Sequence, residues 1–297
     1  MMKRTGNDVV NEIIALVVAD INNPFFSEIA KGVNKVAQMN GYTVFVCDTD
    51  EKVKTEISVL EAIRRQKVSG IIITPVSEKA GRNAQILESL QKDGVPVVLI
   101  DRDVKIANFD GVFIDNYKGA FDGVEALIKA GHRKIGIIAG PATSRPGKER
   151  LKGYLEALRL YDIPVIEDYV LYGDFKWESG YNLTHSIMGK EDRPSAIFVS
   201  NNLMSIGCIK ALSELKLSVP EDVSLLVFDD SVALDAYSHN ISVISRSATQ
   251  MGIEAADILI EKIRISEQTE RQIPKRIVLL PKLELRGSEI AASIKNI

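Results

Sequence analysis

Residues 12–48, EIIALVVADINNPFFSEIAKGVNKVAQMNGYTVFVCD, hold the pattern that decides the fold. A Val/Ile-rich run (EIIALVV) gives way to a polar loop, and an amphipathic stretch then sets Phe26, Ile29, Ala30, Val33, Val36 and Ala37 on one helical face. Gly41 supplies the helix stop, and a second β-type run, YTVFVCD, follows. The alternation continues through GIIITP (70–75) and PVVLIDR (96–102). Near-continuous apolar strands joined by helices predict an α/β fold with a parallel sheet, buried on both faces and wound by right-handed crossovers.

The pattern then restarts. RKIGIIAG (133–140) reads as a strand, PGKERLKGYLEALRLY (146–161) as a helix, and AIFVS (196–200) and SLLVFD (224–229) as strands separated by the helical SIGCIKALSELK (205–216). Both passes open with strand, polar loop and helix, so a loose internal repeat is expected. One more amphipathic helix, TQMGIEAADILIEKI (249–263), and two short strands within KRIVLLPKLELRGS (275–288) close the chain. If these strands return to the first sheet and then the second, several crossings form a hinge. No Pro/Gly/Ser-rich linker lies between residues 100 and 130, which favours closely associated lobes.

The 297 residues suit about two domains, and a composition 45% apolar and 26% charged is that of an ordinary globular chain. The net charge of −3 removes a general electrostatic case for nucleic-acid binding. Cys47 and Cys208 are too few for a disulfide scaffold, and no run approaches the roughly 20 apolar residues of a membrane helix. The N-terminus lacks the long apolar core of a secretory signal. A reduced, cytoplasmic protein with no membrane contact is the expectation.

In an open parallel sheet, ligands bind beyond the carboxyl ends of the strands. The segments there are polar and aromatic: ADINNPFF, IDRD, GPATSRPGKER, VSNN, VFDD and ISRS. Asp and Asn can hold vicinal hydroxyls, Arg donates in a planar fork, and aromatic rings cover apolar C–H faces, so the set suits a sugar. Structural readings stand beside each. Phe25 or Phe26 can be a helix-start staple, Asp101 and Asp229 can cap the next helices, and Arg150 can lie on a solvated face.

Enzyme chemistry fares poorly. No G-x-G-x-x-G follows the first strand, and GPATSRPGKE has the wrong glycine spacing for a phosphate loop, with Glu149 where Ser or Thr should bind magnesium. His132, His185 and His239 have no carboxylate or cysteine at metal spacing, and no G-x-S-x-G occurs. Asp101 and Asp229, proposed as a glycosidase pair, sit in loops rich in partners that keep them ionised. Binding without turnover, with neither cofactor nor metal, is the expectation.

Six segments in order carry a resemblance: VVADINNPFF, AGHRKIGIIAG, RLKGY, RPSAIFVSNN, PEDVSLLVFDD and LLPKLELRGS. Together they resemble the effector-binding core of the LacI/GalR transcriptional regulators, which share their fold with periplasmic sugar-binding proteins. The resemblance implies two Rossmann-like subdomains with parallel sheets joined by three hinge crossovers, the type I periplasmic-binding-protein arrangement. It implies a carbohydrate-like effector in the interlobe cleft, a homodimer, and coupling of closure to operator DNA through a headpiece that these 297 residues do not contain. Residues 1–11, with Arg4 and Thr5, read as the remnant of the linker to it. The subdomains are expected at 12–114 plus 246–273 and at 115–245 plus 274–292. The rival reading is the solute-binding protein of a sugar transporter.

Carried over position by position, the resemblance implies ligand contacts from Asn23, Phe25, Phe26, Asp101, Arg102, Arg150, Phe175, Asn201 and Asp229, with Thr74 after the third strand also a candidate. Asn202 and Val227 depart from the family's Asp and Gly, and Arg246 stands where a neutral residue is frequent. If Arg102, Arg150 and Arg246 all face Asp101 and Asp229, one positive charge is in surplus. A charge-assisted bond of about 1.5–3 kcal/mol would then favour an acidic sugar or phosphosugar about tenfold or more. Pairing of Arg246 with an acid at the hinge is the alternative.

Overall fold

The structure, a computed structural model, describes residues 13–79, 81–105, 108–237, 240–265 and 273–290. The expected linker remnant at 1–11, and His239, lie outside the described residues.

The chain forms two compact units: one gathers residues up to 21, 26–112 and 249–276, the other 22–25, 113–248 and 277 onward. The first pass along the chain supplies β1 (Ile13–Val18), α1 (Pro24–Met39), β2 (Thr43–Asp48), α2 (Val53–Gln66), β3 (Gly70–Ile73), α3 (Arg82–Lys92), β4 (Val97–Ile100) and β5 (Asp110–Ile114). The second supplies α4 (Asn116–Lys129), β6 (Ile135–Ala139), α5 (Arg145–Leu160), β7 (Val170–Tyr172), α6 (Trp177–Met188), β8 (Ala196–Val199), α7 (Asn202–Glu214), β9 (Ser224–Phe228), α8 (Val232–Tyr237) and β10 (Ser242–Ser245). The chain closes with α9 (Ala248–Ile265), β11 (Arg276–Leu279) and β12 (Lys282–Glu284).

The sheets run β2-β1-β3-β4-β5-β11 and β7-β6-β8-β9-β10-β12, so the internal repeat is a repeat of topology. Backbone bonds at the strand ends repeat as well. Thr74 N–H donates to Val17 O at 2.9 Å, as Ser200 N–H does to Ile138 O at 3.0 Å. Asp101 N–H reaches Val112 O and Asp229 N–H reaches Ile244 O, each at 2.9 Å. The two closing strands join one sheet each, β12 antiparallel to β10.

β3, β4, β6, β8 and β9 are buried throughout, and β1 at every residue except Ile13, as two-faced strands should be. β2 departs from the expectation of burial on both faces: it is an edge strand, with Phe45 57% exposed. The pattern reading also passed over β5 with α4 and β7 with α6. β7 has three residues, and the buried face of α6 (WESGYNLTHSIM) includes Gly180 and Thr184 rather than an apolar stripe.

In the first unit, α1 and α9 approach until their backbones nearly touch. A Cβ at Gly32 would lie 2.1 Å from Thr249 O, and one at Gly252 would lie 2.2 Å from Ile29 O. Neither neighbour is a flexible side chain, so the helices would have to separate. Gly252→Ala should destabilise the protein by about 3 kcal/mol, at the upper end for overpacking, as read from its urea unfolding midpoint. A midpoint within error of wild type would show that the helices yield.

Candidate functional site

At the carboxyl ends of the second sheet, Asp229 follows β9 with φ +75°, the left-handed region that few non-glycine residues adopt. Its carboxylate accepts from Arg246 Nε at 2.5 Å and Nη2 at 3.0 Å, a bidentate pair with both side chains no more than 5% exposed. The Arg246 guanidinium carbon lies 3.4 Å from the centre of the Phe25 ring. Arg150, delivered by α5, donates through Nε to Asn116 Oδ1 at 2.9 Å and through Nη1 to Ser200 O, and that Nη1 stands 3.8 Å from Asp229. Its guanidinium covers Phe228 at 3.7 Å. Two cations thus share one carboxylate, and aromatic faces and carbonyl oxygens make up the rest of their solvation.

The surrounding polar groups fix this cluster. Asn201 caps α7 by accepting from Met204 N–H, while its amide donates to Phe175 O at 2.9 Å. Phe175, at φ +70°, lays its ring where Gly140 leaves room; a Cβ there would fall 2.2 Å from the ring. Asn202 donates to Asn23 Oδ1, which also accepts from Phe25 N–H. Residues 22–25 thereby belong with the second unit. The departure from the family's Asp acquires a reason here, since a carboxylate could not donate to Asn23.

In the first unit, Asp101 follows β4 at φ +65°. Arg102 donates to both oxygens of Glu51, at 2.7 and 2.5 Å, and its Nε stands 3.9 Å from Asp101. Burial pulls the Arg102 pKa down, but Glu51, with Asp101 and Glu56, holds the group above its ordinary value. Glu56, fully buried on α2, accepts from Val76 N–H and Asn83 Nδ2 and so ties down the loop after β3. Desolvation pushes its carboxyl above the usual range against those two bonds. The Thr74 hydroxyl, at the head of that loop, is buried with no hydrogen-bond partner among the described residues, as is that of Ser200 at the matching place after β8.

The structure therefore gathers Asn23, Phe25, Arg150, Phe175, Asn201, Asp229 and Arg246 at the strand ends of the second unit, and Thr74, Asp101 and Arg102 at those of the first. Phe26, within α1, is buried and groups with the first unit, whereas Phe25 groups with the second. Arg150 is 1% exposed, so the solvated-face reading fails. The capping readings fail too: Ser231 stands at the start of α8, and among the described residues no helix lies between β4 and β5 for Asp101 to cap. Arg246 pairs with Asp229 itself.

Sequence reasoning missed Glu51, Asn116 and Ser200. Glu51 also changes the charge count: in the first unit Arg102 faces both Glu51 and Asp101, and in the second Arg150 and Arg246 share Asp229. His132 bonds through Nδ1 to Ser195 Oγ at 2.8 Å. Its other nitrogen meets Glu289 O, a backbone carbonyl where a catalytic dyad would place a carboxylate.

Asp229→Ala should lower stability by about 3–5 kcal/mol, since it leaves Arg246 buried without its counter-ion. Asp229→Leu combined with Arg246→Met should recover most of that loss. Denaturant unfolding of the three proteins checks both, and equal losses in the single and double variants would show that the ion pair is not the cause.

The family model described as "Periplasmic binding proteins and sugar binding domain of LacI family" matches residues 11–282. The chain is 30% identical over 275 residues to the HTH-type transcriptional repressor PurR of Actinobacillus pleuropneumoniae serotype 3 (strain JL03), covering 93% of this chain and 80% of that repressor. It is 31% identical over 278 residues to the repressor of the same name from Haemophilus influenzae (strain PittEE), with the same shares covered. Among solved structures, a complex of the transcriptional regulator CelR with cellobiose matches with TM-score 0.83 and 28% identity over 93% of this chain and 84% of that one. No helix among the described residues is long and apolar enough to cross a membrane. With the repeated Rossmann-like sheets and the polar strand ends already in place, the chain belongs to the LacI family of transcriptional regulators, as an effector-binding core of the periplasmic-binding-protein type.

Proposed function

We propose that the protein is the ligand-sensing core of a cytoplasmic regulator whose effector is a sugar or sugar-like molecule, held by strand-end residues of both units, and whose occupancy biases DNA binding. The observation that carries this is the repeated aspartate. Asp101 and Asp229 follow the fourth strand of each repeat, both in the left-handed region, both with the N–H given to the next strand. Strain kept twice at one place in a fold, on residues that accept hydroxyl hydrogen bonds, supports a ligand-binding role. Phe25 adds an apolar ring beside Arg246. The relatives matched are repressors and regulators, so a transporter's solute-binding protein is not favoured. A ligand that favours one conformation shifts the population toward it by its differential affinity, which is all that coupling to DNA requires.

A panel of pentoses, hexoses and disaccharides, cellobiose included, should contain a stabilising ligand. At 100 times its dissociation constant it adds about 2.7 kcal/mol to the folded state, visible as a rise in melting temperature. Asp101→Asn keeps a residue that tolerates positive φ and leaves Arg102 its two bonds to Glu51, so the loss of stability should stay well below the about 3–5 kcal/mol of an unpaired buried ion. Affinity for that sugar should fall about tenfold or more, because a charged acceptor is lost. Unchanged affinity in calorimetric titration would remove Asp101 from the site.

We also propose that the core is a homodimer. Apolar side chains left at the surface, Phe45 and Val46 on β2 and Trp177 and Tyr237 in the second unit, support this reading. Sedimentation equilibrium at micromolar concentration should return twice the chain mass, and a monomer would refute it.

A further inference from the structure

Glu51 follows the carboxyl end of β2 at φ +56°, its N–H given to Ala19 O at 2.7 Å. The backbone therefore aims the side chain from a constrained position, and each carboxylate oxygen takes one terminal nitrogen of Arg102. That two-pronged end of a guanidinium is one of the edges that match a carboxylate or a phosphate. Resting on the effector site proposed above, we propose that Glu51 is a specificity-determining residue. It occupies both terminal nitrogens of Arg102, so the strand ends of the first unit accept uncharged hydroxylated ligands and turn away carboxylated and phosphorylated ones.

Three observations carry this. The pair is enclosed, with the Arg102 side chain 5% and the Glu51 side chain 16% exposed, so Arg102 cannot exchange its partner for a ligand anion without leaving Glu51 poorly solvated and unpaired. Acid outnumbers base around it: Glu51 and Asp101 face one guanidinium, and Glu56 adds a further buried carboxyl nearby. An anion brought there meets net repulsion in surroundings that screen it weakly. A carboxylate also offers about four acceptor directions, and Arg102 takes two of those on Glu51. The remainder suits hydroxyl donors, which an uncharged polyol supplies and an anionic group does not.

The test compares wild type, Glu51→Gln, and Glu51→Gln combined with Arg102→Gln at constant ionic strength. The probes are millimolar sulfate, ribose 5-phosphate, D-ribose and cellobiose, followed by thermal shift and calorimetric titration. Glu51→Gln keeps the shape of the side chain and one acceptor but frees the guanidinium edge. Sulfate and ribose 5-phosphate should leave wild type unstabilised, stabilise Glu51→Gln saturably, and lose that effect in the double variant. If D-ribose binds, the ratio of ribose 5-phosphate affinity to ribose affinity should rise at least about tenfold in Glu51→Gln.

Wild type that takes either anion as well as Glu51→Gln does, or a variant that gains no anion binding, overturns the proposal. Should Glu51→Gln fail to fold by circular dichroism, the wild-type arm decides: anion binding there overturns the exclusion and its absence upholds it. If no neutral sugar binds but Glu51→Gln gains sulfate, the carbohydrate reading falls while the role of Glu51 stands.

Discussion

Three guanidinium groups, those of Arg102, Arg150 and Arg246, lie in the protein with side chains only 2–5% exposed, and the strand ends are organised around that fact. A buried cation costs several kcal/mol unless its partners restore what water supplied. Glu51 does this for Arg102 and Asp229 for Arg246, each with two oxygens. Arg150 draws on an amide oxygen, a backbone carbonyl, a more distant carboxylate and an aromatic face. Because each partner must sit within hydrogen-bond reach, the loops that carry them have little freedom. Glu51, Asp101 and Asp229 all sit at positive φ.

The same constraint links fold to function. A parallel doubly wound sheet delivers the end of every strand to one edge, and polar loops gather there while the strands themselves are dry. In both repeats the residue after the fourth strand is an aspartate with the same backbone bond, and the residue after the third strand is a buried hydroxyl. Arg102 and Arg246 are each already held by two carboxylate oxygens of the protein. What such an edge offers is hydrogen-bond acceptors and an aromatic surface, the basis on which a carbohydrate-like effector is proposed.

Much of this was legible in residue order. The runs IIALVV, GIII, VVLI, IGIIA, AIFV and SLLVF are long enough in β-branched and apolar residues to be read as buried strands, and α1 showed its face through Ile29, Val33 and Ala37. The short β7 and α6 were not legible, since three residues carry no period and the buried face of α6 includes Gly180 and Thr184 rather than an apolar stripe. The edge position of β2 was hidden as well: YTVFVCD is as apolar as a central strand, and only its lack of a second neighbour exposes Phe45. Asp101, Asp229, Phe25 and Arg150 could be named as candidates from their places after strands or in matching segments.

The order of residues by itself determined the class of fold, its duplication and the set of segments that reach the functional edge, because all three follow from local periodicity and from where apolar runs end. Which cation meets which anion was decided only by the tertiary structure. Glu51 and Arg102 stand 51 positions apart, Asp229 and Arg246 17 apart, and Arg150 and Asn116 34 apart. No local propensity encodes such pairings; they arise when parallel strands bring distant loops to one edge and burial forces every charge there to find its complement.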